Sequence, residues 1–258
     1  MRTVKRFELK YLLTHSQYLK LRNALAPYMK QDKYTATTGR YIVRSLYFDT
    51  FDYIAYQEKL NGDPRRFKLR LRSYARDFSE AEKISVEIKA RRGDIVEKYS
   101  TFISPEKYQS FMVTKHWFDS NPVLQEFERQ LFLKSQRPRI LVDYEREGYY
   151  CRDGNQLRVT FDHYAKSTLS NSLFLDDMNL FRLHNRSTIV LEIKCSTEKP
   201  EWLVNLVKKH QLKRWSNSKY AQAVQLNAPE IMIPRSGIFS FKDQRSLLLP
   251  SRREIPYA

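Results

Sequence analysis

The chain has 258 residues and a mass of 31.0 kDa, with 46 Lys and Arg against 29 Asp and Glu, a formal charge of +17. Hydrophobic residues at 41% and charged residues at 29% describe a folded chain and exclude a disordered one, and no apolar run reaches the roughly 18 residues of a membrane-spanning helix. The positive excess implies a polyanion, and nucleic acid, an acidic membrane face or a phosphate chain would each satisfy it, with solubility as the alternative use of part of the charge.

Along the chain, Met1 to Glu8 carries no apolar stretch of a signal sequence. Strands are predicted over Phe7–Leu13, Tyr41–Asp49, Arg65–Tyr74, Ile84–Ala90, Ile95–Phe102, Arg139–Tyr149, Arg158–Asp162 and Thr188–Cys195. Turns at Asn61-Gly62-Asp63-Pro64, Arg92-Gly93-Asp94 and Arg152-Asp153-Gly154-Asn155 separate them as antiparallel hairpins, because glycine relieves positive φ at tight connections. Helices interrupt the strands. Thr14-His15-Ser16-Gln17 matches a capping box. Ser104-Pro105-Glu106 places a cap before Pro at the first helical position. Further helices are expected over Pro122–Lys134, from Ser196-Thr197 to His210, and after Ser216. The two cysteines, Cys151 and Cys195, have no zinc or thioredoxin spacing, and a reducing cytoplasm is expected. From Pro229 onward prolines and arginines punctuate short apolar patches, so the chain divides into a folded unit, 1–228, and a basic, proline-containing extension, 229–258.

There is no G-x-G-x-x-G or G-x-x-x-x-G-K-[ST], and glycine is scarce, so an anion must be held by side chains rather than by a backbone cradle. The strands supply them. Residues two apart share a strand face, which aligns Lys68, Arg70 and Arg72 opposite Phe67, Leu69 and Leu71. Glu8 with Lys10, Glu87 with Lys89, Arg158 with Thr160 and Asp162, and Glu192 with Lys194 repeat the pattern. Arg44 falls on the face of Leu46 and Phe48. Like charges in a row repel unless an anion or carboxylates lie among them. A barrel with helices over its apolar outside and a polar inside accounts for this better than an open sheet. Its Glu residues would serve either in salt bridges or as ligands of Mg²⁺ or Mn²⁺.

These segments resemble the VTC domain, the polyphosphate polymerase branch of the CYTH-like triphosphate tunnel enzymes. The matching stretches are Arg6–Tyr11, Val43–Thr50, Arg66–Arg72, Val86–Lys89, Val142–Arg146, Arg158–Asp162, Leu191–Lys194 and Ser218-Lys219-Tyr220, in order over roughly residues 3–226. The resemblance implies an α+β fold: a closed antiparallel β-barrel, the triphosphate tunnel, with helices packed on its outside. It implies transfer of the terminal phosphoryl group of ATP to a growing polyphosphate chain. Lys10, Arg44, Lys68, Arg70, Arg72, Lys89, Arg146, Arg158, Lys194 and Lys219 would line the phosphate path, and Ser218 would touch a terminal phosphate. Arg44, Lys68, Arg70, Arg72, Arg146 and Arg158 would clamp reacting oxygens, with Glu192 holding a divalent metal, Mn²⁺ or Mg²⁺, supported by Glu8 and Glu87. The chain departs from the strict Glu-x-Glu-x-Lys opening of CYTH proteins, since Arg6 stands where the first carboxylate would be. That favours the longer phosphate-chain branch over simple triphosphatase action.

The expected partners are ATP and inorganic polyphosphate, with no specific nucleic acid, and the expected location is the cytoplasm or the inner face of the membrane beside a separate membrane protein. A triphosphatase acting on triphosphate or nucleoside triphosphates and a non-enzymatic polyphosphate-binding module are the competing readings. Nucleic-acid binding would need outward basic stripes, whereas the alternation points charge inward.

Overall fold

The computed structural model describes residues 7–93, 95–154, 156–175, 181–185, 187–195, 199–215 and 218–229. The elements run β1 (Phe7–Leu13), α1 (His15–Leu25), β2 (Met29–Gln31), α2 (Lys33–Thr38), β3 (Tyr41–Asp49), α3 (Ile54–Asn61), β4 (Arg65–Ser73), β5 (Ile84–Arg92), β6 (Ile95–Ile103), α4 (Pro105–Thr114), α5 (Pro122–Leu133), β7 (Arg137–Cys151), β8 (Arg158–Leu169), β9 (Arg182–Leu183), β10 (Ile189–Cys195), α6 (Glu201–Lys209) and α7 (Lys219–Asn227). The capping box at Thr14 is formed, with Gln17 N–H donating to the threonine hydroxyl and Thr14 N–H to the Gln17 side chain. Ser104 caps α4 and Pro122 opens α5. The short β2, α2 and α3 were not expected: α2 does follow a formed Asp32 cap, but its six residues are too few to show a helical period, whereas α3 follows Tyr53, a left-handed residue with no side-chain cap. The expected start at Ser196-Thr197, and residues 230–258 of the extension, lie outside the described residues.

The strands form one antiparallel sheet in the order β1-β10-β8-β7-β3-β4-β5-β6, with β2 added to β7 and β9 to β8. The closed barrel expected from the sequence is not formed: β1 and β6 end the strand path and, among the described residues, do not pair with each other. The outer edge of β1 is partly used elsewhere, since Tyr11 bridges Arg214 and Trp215 N–H donates to the Lys10 carbonyl at 2.9 Å. The sheet nevertheless curls enough for β1, at one end, to meet β5, next to the other end, through side chains, with Lys89 Nζ at 3.2 Å from Glu8 Oε2. The fold is therefore tunnel-like without backbone closure.

The core lies on both faces. On one, α1 and α6 cover β1, β7, β8 and β10 through Tyr18, Leu21, Leu25 and Leu203, while α4 and α5 cover β3, β4 and β5 through Phe111, Phe127 and Leu131. On the other, α7 places Tyr220, Ala223 and Val224 against Val43, Tyr47, Ile140, Val142 and Tyr144, so helices are not confined to the outside as expected. Between α1 and the sheet, buried Glu147 accepts hydrogen bonds from Tyr18 (2.6 Å), Tyr149 (2.9 Å), Arg40 (2.9 Å) and Arg22 (3.2 Å). These partners stabilise a buried charge that would be costly alone. No helix among the described residues is long and apolar enough to cross a membrane.

Candidate functional site

Residues opposite each other in antiparallel register share a face, and the registers collect one ladder of charge. Arg70 stands opposite Tyr47 and Glu87, Arg72 opposite Ser45 and Ser85, and Lys68 opposite Lys89. Around the curl, Arg146 faces Tyr41 and Asp162, Glu192 faces Thr160 and Lys10, and Lys194 faces Arg158 and Glu8. The face that bears α7 thus holds Lys10, Lys68, Arg70, Arg72, Lys89, Arg146, Arg158 and Lys194. Lys219, the first residue of α7, joins them through an ion pair to Asp162. Ser218 caps α7, its hydroxyl accepting from Ala221 N–H.

Arg44 is placed differently. It lies on the opposite sheet face with Leu46 and Phe48, fully buried, and its Nε and Nη2 donate to the Asp143 carboxylate at 2.9 and 2.8 Å. Its Nη1 donates to the Arg76 carbonyl at 2.6 Å. Both partners are out of solvent, so removing one strands the other charge, at a cost of about 3–5 kcal/mol. Arg44→Ala is accordingly expected to lower unfolding free energy by about that much in denaturant titration. Surviving folded protein should bind polyphosphate as the native chain does in the same assay; a selective loss at unchanged stability would return Arg44 to the expected phosphate path.

The ladder carries fewer acids than bases. Glu87 is held by Arg70 at 2.5 Å, Lys98 at 3.2 Å and Arg72 at 3.8 Å. Burial works against its charge, but Arg70, Arg72 and Lys98 outweigh it and hold the carboxyl far below its usual range. Glu192 is 2.7 Å from Lys194 and 4.0 Å from both Lys10 and Arg146. Burial again opposes ionisation, and Lys194, Lys10 and Arg146 keep it ionised. Asp162 takes two hydrogen bonds from Arg146, at 2.6 and 2.9 Å, and despite burial is lowered to about 2 by Arg146 and Lys219. Lys68 differs from these. No carboxylate pairs with it among the described residues; its ammonium lies 4.6 Å above the Tyr220 ring, and burial, then the charge of Lys89, pushes it down to about 7. Aromatic rings also underlie Lys219 and Arg146, at 4.5 and 5.1 Å from Tyr144. The faces of these rings favour the cationic forms while leaving outward N–H groups for another acceptor. Thr160 Oγ1 and Arg158 Nε are buried without a hydrogen-bond partner among the described residues.

Among the described residues no group of three or more His, Cys, Asp and Glu could hold a metal by itself. Glu8 and Glu192 do flank Lys10, which is 2.8 Å from Glu8 and 4.0 Å from Glu192, while Glu87 belongs to the Arg70 cluster. Mg²⁺ arriving with phosphates needs only one or two protein carboxylates, and Glu8 with Glu192 fits that small donor set.

Sequence reasoning missed Lys98, whose strand it placed without assigning the side chain inward. It also missed Asp162 as the carboxylate that seats Lys219, and Asp32, whose Oδ2 is 3.4 Å from Arg158. The i, i+2 alternation of Arg158-Thr160-Asp162 carried the signal for Asp162. For Asp32 there was none, because it acts from a helix cap across the fold.

The VTC domain family model matches residues 5–227. The chain belongs to the VTC domain family. No curated protein gives a sequence match. A crystal structure of a candidate adenylate cyclase from Bacillus halodurans is similar with a TM-score of 0.53 and 14% identity, over 83% of this chain and 94% of that one. The PH1819 protein from Pyrococcus horikoshii OT3 gives a TM-score of 0.45 and 12% identity, over 87% of this chain and 99% of that one. The first likeness is one of fold alone. Membership of the VTC family supports a polyphosphate- or triphosphate-related function.

Proposed function

We propose that this VTC domain protein is a polyphosphate polymerase that transfers the terminal phosphoryl group of ATP to the end of a polyphosphate chain. The observation that carries the reading is the single ladder of inward cations, only part of whose charge is matched by Glu8, Glu87, Asp162 and Glu192. A linear anion with charge on every repeat relieves that imbalance along its whole length. Guanidinium forks at Arg70, Arg72, Arg146 and Arg158 bind non-bridging oxygens in pairs, and Lys10, Lys68, Lys89, Lys194 and Lys219 add point charges.

Phosphoryl transfer needs alignment and charge neutralisation more than a protein nucleophile. A terminal oxygen of the acceptor chain attacks the γ-phosphorus, the bond from that phosphorus to the β–γ bridging oxygen breaks, and ADP leaves with the electron pair. The arginines hold donor and acceptor in line, and the paired carboxylates keep the lysines and arginines in place between turnovers. A divalent ion, Mg²⁺ or Mn²⁺, would be held by Glu192 with Glu8 and would supply further neutralisation of phosphate charge.

The test is incubation with ATP and Mg²⁺ or Mn²⁺, with and without a short polyphosphate primer, followed by gels and phosphorus NMR. Growing internal-phosphate signal with ADP is the expected result. Orthophosphate without chains would make the protein a triphosphatase. Tight polyphosphate binding without turnover would make it a binding module.

A further inference from the structure

A ladder of cations does not by itself tell a triphosphate which way to lie, and the two ends of this one differ. At one end, at the start of β4, the cross-strand pair Arg66–Arg91 continues the ladder's face beyond Lys68 and Lys89, while Arg65 and Arg92 stand on the other face beside a cavity of about 600 Å³ lined by Pro64, Arg65, Arg92 and Gly93. At the other end, roughly 25 Å along the same strand, Tyr74 follows Arg72, and tyrosines replace arginines. Tyr34 and Tyr74 lie nearly parallel, 6° apart with centroids at 6.1 Å, and both are partly exposed, at 49% and 36%. Tyr41, buried behind them, packs at 5.4 Å from Tyr34 and 6.1 Å from Tyr74.

This cluster is joined to the ladder and fixed in place. The Tyr41 hydroxyl donates to Asp32 Oδ2 at 3.1 Å and accepts from Arg158 Nη2 at 3.3 Å. Asp32 Oδ1 caps α2, accepting Thr35 N–H at 2.9 Å, and Gly148 N–H donates to the Thr35 hydroxyl at 2.8 Å. Gly148 has to be glycine, because a Cβ there would stand 2.0 Å from Asp32 Oδ2. The helix that carries Tyr34 is therefore clamped against β7 by buried polar contacts, and its exposed ring is set beside the arginines. Single exposed aromatics need no explanation, but two parallel rings buttressed by a third, at the mouth of a phosphate path, present a surface for a flat aromatic ligand.

We propose that Tyr34 and Tyr74 form a stacking platform for the base of the nucleoside triphosphate, which orients the donor with its nucleoside at this mouth and its phosphates running past Arg158, Arg146 and Arg72 toward the arginine-rich mouth. This rests on the phosphate-path reading above and adds a direction to it. A ring face stacks on any base, so the platform favours nucleotides over inorganic phosphate chains without strong choice among bases.

The test is calorimetric titration of the full chain with ATP and, separately, with inorganic tripolyphosphate. For the Tyr34→Ala/Tyr74→Ala double variant, the ATP dissociation constant is expected to rise about tenfold or more, the range of a lost base–aromatic stack. Tripolyphosphate binding should stay within about twofold, which also reports that the variant is folded. The Tyr34→Phe/Tyr74→Phe variant should bind both ligands as the native protein does, because the ring and not the hydroxyl is used. Unchanged ATP affinity in the alanine variant, or equal loss for both ligands, overturns the platform and leaves the phosphate path standing. Native protein that binds an oligoadenylate as tightly as ATP overturns it as well, since the rings would then read strands. Native protein that binds neither ATP nor tripolyphosphate overturns the phosphate path and the platform together.

Discussion

Glu192→Gln is expected to lower turnover by about 10²–10³ while leaving polyphosphate affinity equal or tighter. The carboxylate is buried at the centre of Lys194, Lys10 and Arg146, and these charges keep it ionised against the cost of burial. Replacing it with a neutral amide of the same shape removes one negative charge from the face proposed to bind an anion, so on that reading the ground-state complex gains. The same change removes the donor that would hold a divalent ion and loosens the lysines it seats. Loss of one preorganised electrostatic group in an active site costs about 10²–10³ in rate. Steady-state ADP release and fluorescence-monitored polyphosphate binding, run on one preparation, check both halves. Full turnover would take Glu192 out of the reaction, and loss of affinity would make it a structural support for the ladder.

The second large effect is on pH dependence and comes from Lys68. Its pKa in the free protein is pushed from the usual lysine range to about 7 by burial, with Lys89 adding repulsion and Asp49 opposing it. A phosphate chain beside it restores the charged form and raises that value. Below about pH 7 Lys68 is protonated with or without ligand, and binding takes up no proton there. Above pH 7 the free lysine is neutral and the bound one charged, so binding takes up a proton and affinity falls as pH rises, approaching tenfold per unit for one proton. Titrations with long polyphosphate from pH 6 to pH 9 should show this fall in the native protein and a flatter line in Lys68→Met. The depressed pKa also means that the charged lysine destabilises the empty fold. Lys68→Met should therefore raise the thermal midpoint without ligand at pH 6, the mark of a residue kept for binding rather than for stability. Parallel pH profiles for the two proteins would show that Lys68 does not face the phosphate.

Much of the ladder was legible because strand periodicity is rigid. Once Lys68, Arg70 and Arg72 were placed at alternate positions, their common face followed from the two-residue repeat alone, but their register with Glu87 and Lys89 did not, because residues 74–83 join the two strands without a tight turn to fix it. The same repeat put Arg44 with Leu46 and Phe48, where it pairs with Asp143, although the family resemblance placed it in the phosphate path. Sequence spacing did not reveal Asp32, Tyr34 and Tyr74 as one cluster. They come from a helix cap, a six-residue helix and a strand end, and they meet because Gly148 lets Asp32 pack against β7.

The amino-acid sequence by itself determined the β5–β6 and β7–β8 hairpins, the faces on which the charges lie and the family, since these depend on local periodicity, turn chemistry and motif order, whereas the turn expected at residues 61–64 is the end of α3 and not a hairpin. Only the tertiary structure decided whether the sheet closes, because closure depends on what occupies the edge of β1, and residues 214 and 215 claim part of it. It alone decided that α7 packs on the inner face with Lys219 on Asp162, and that Lys68, among the described residues, has no carboxylate paired with it. Those outcomes are set by which side chains meet across distant segments under burial, and no local pattern in the chain encodes that.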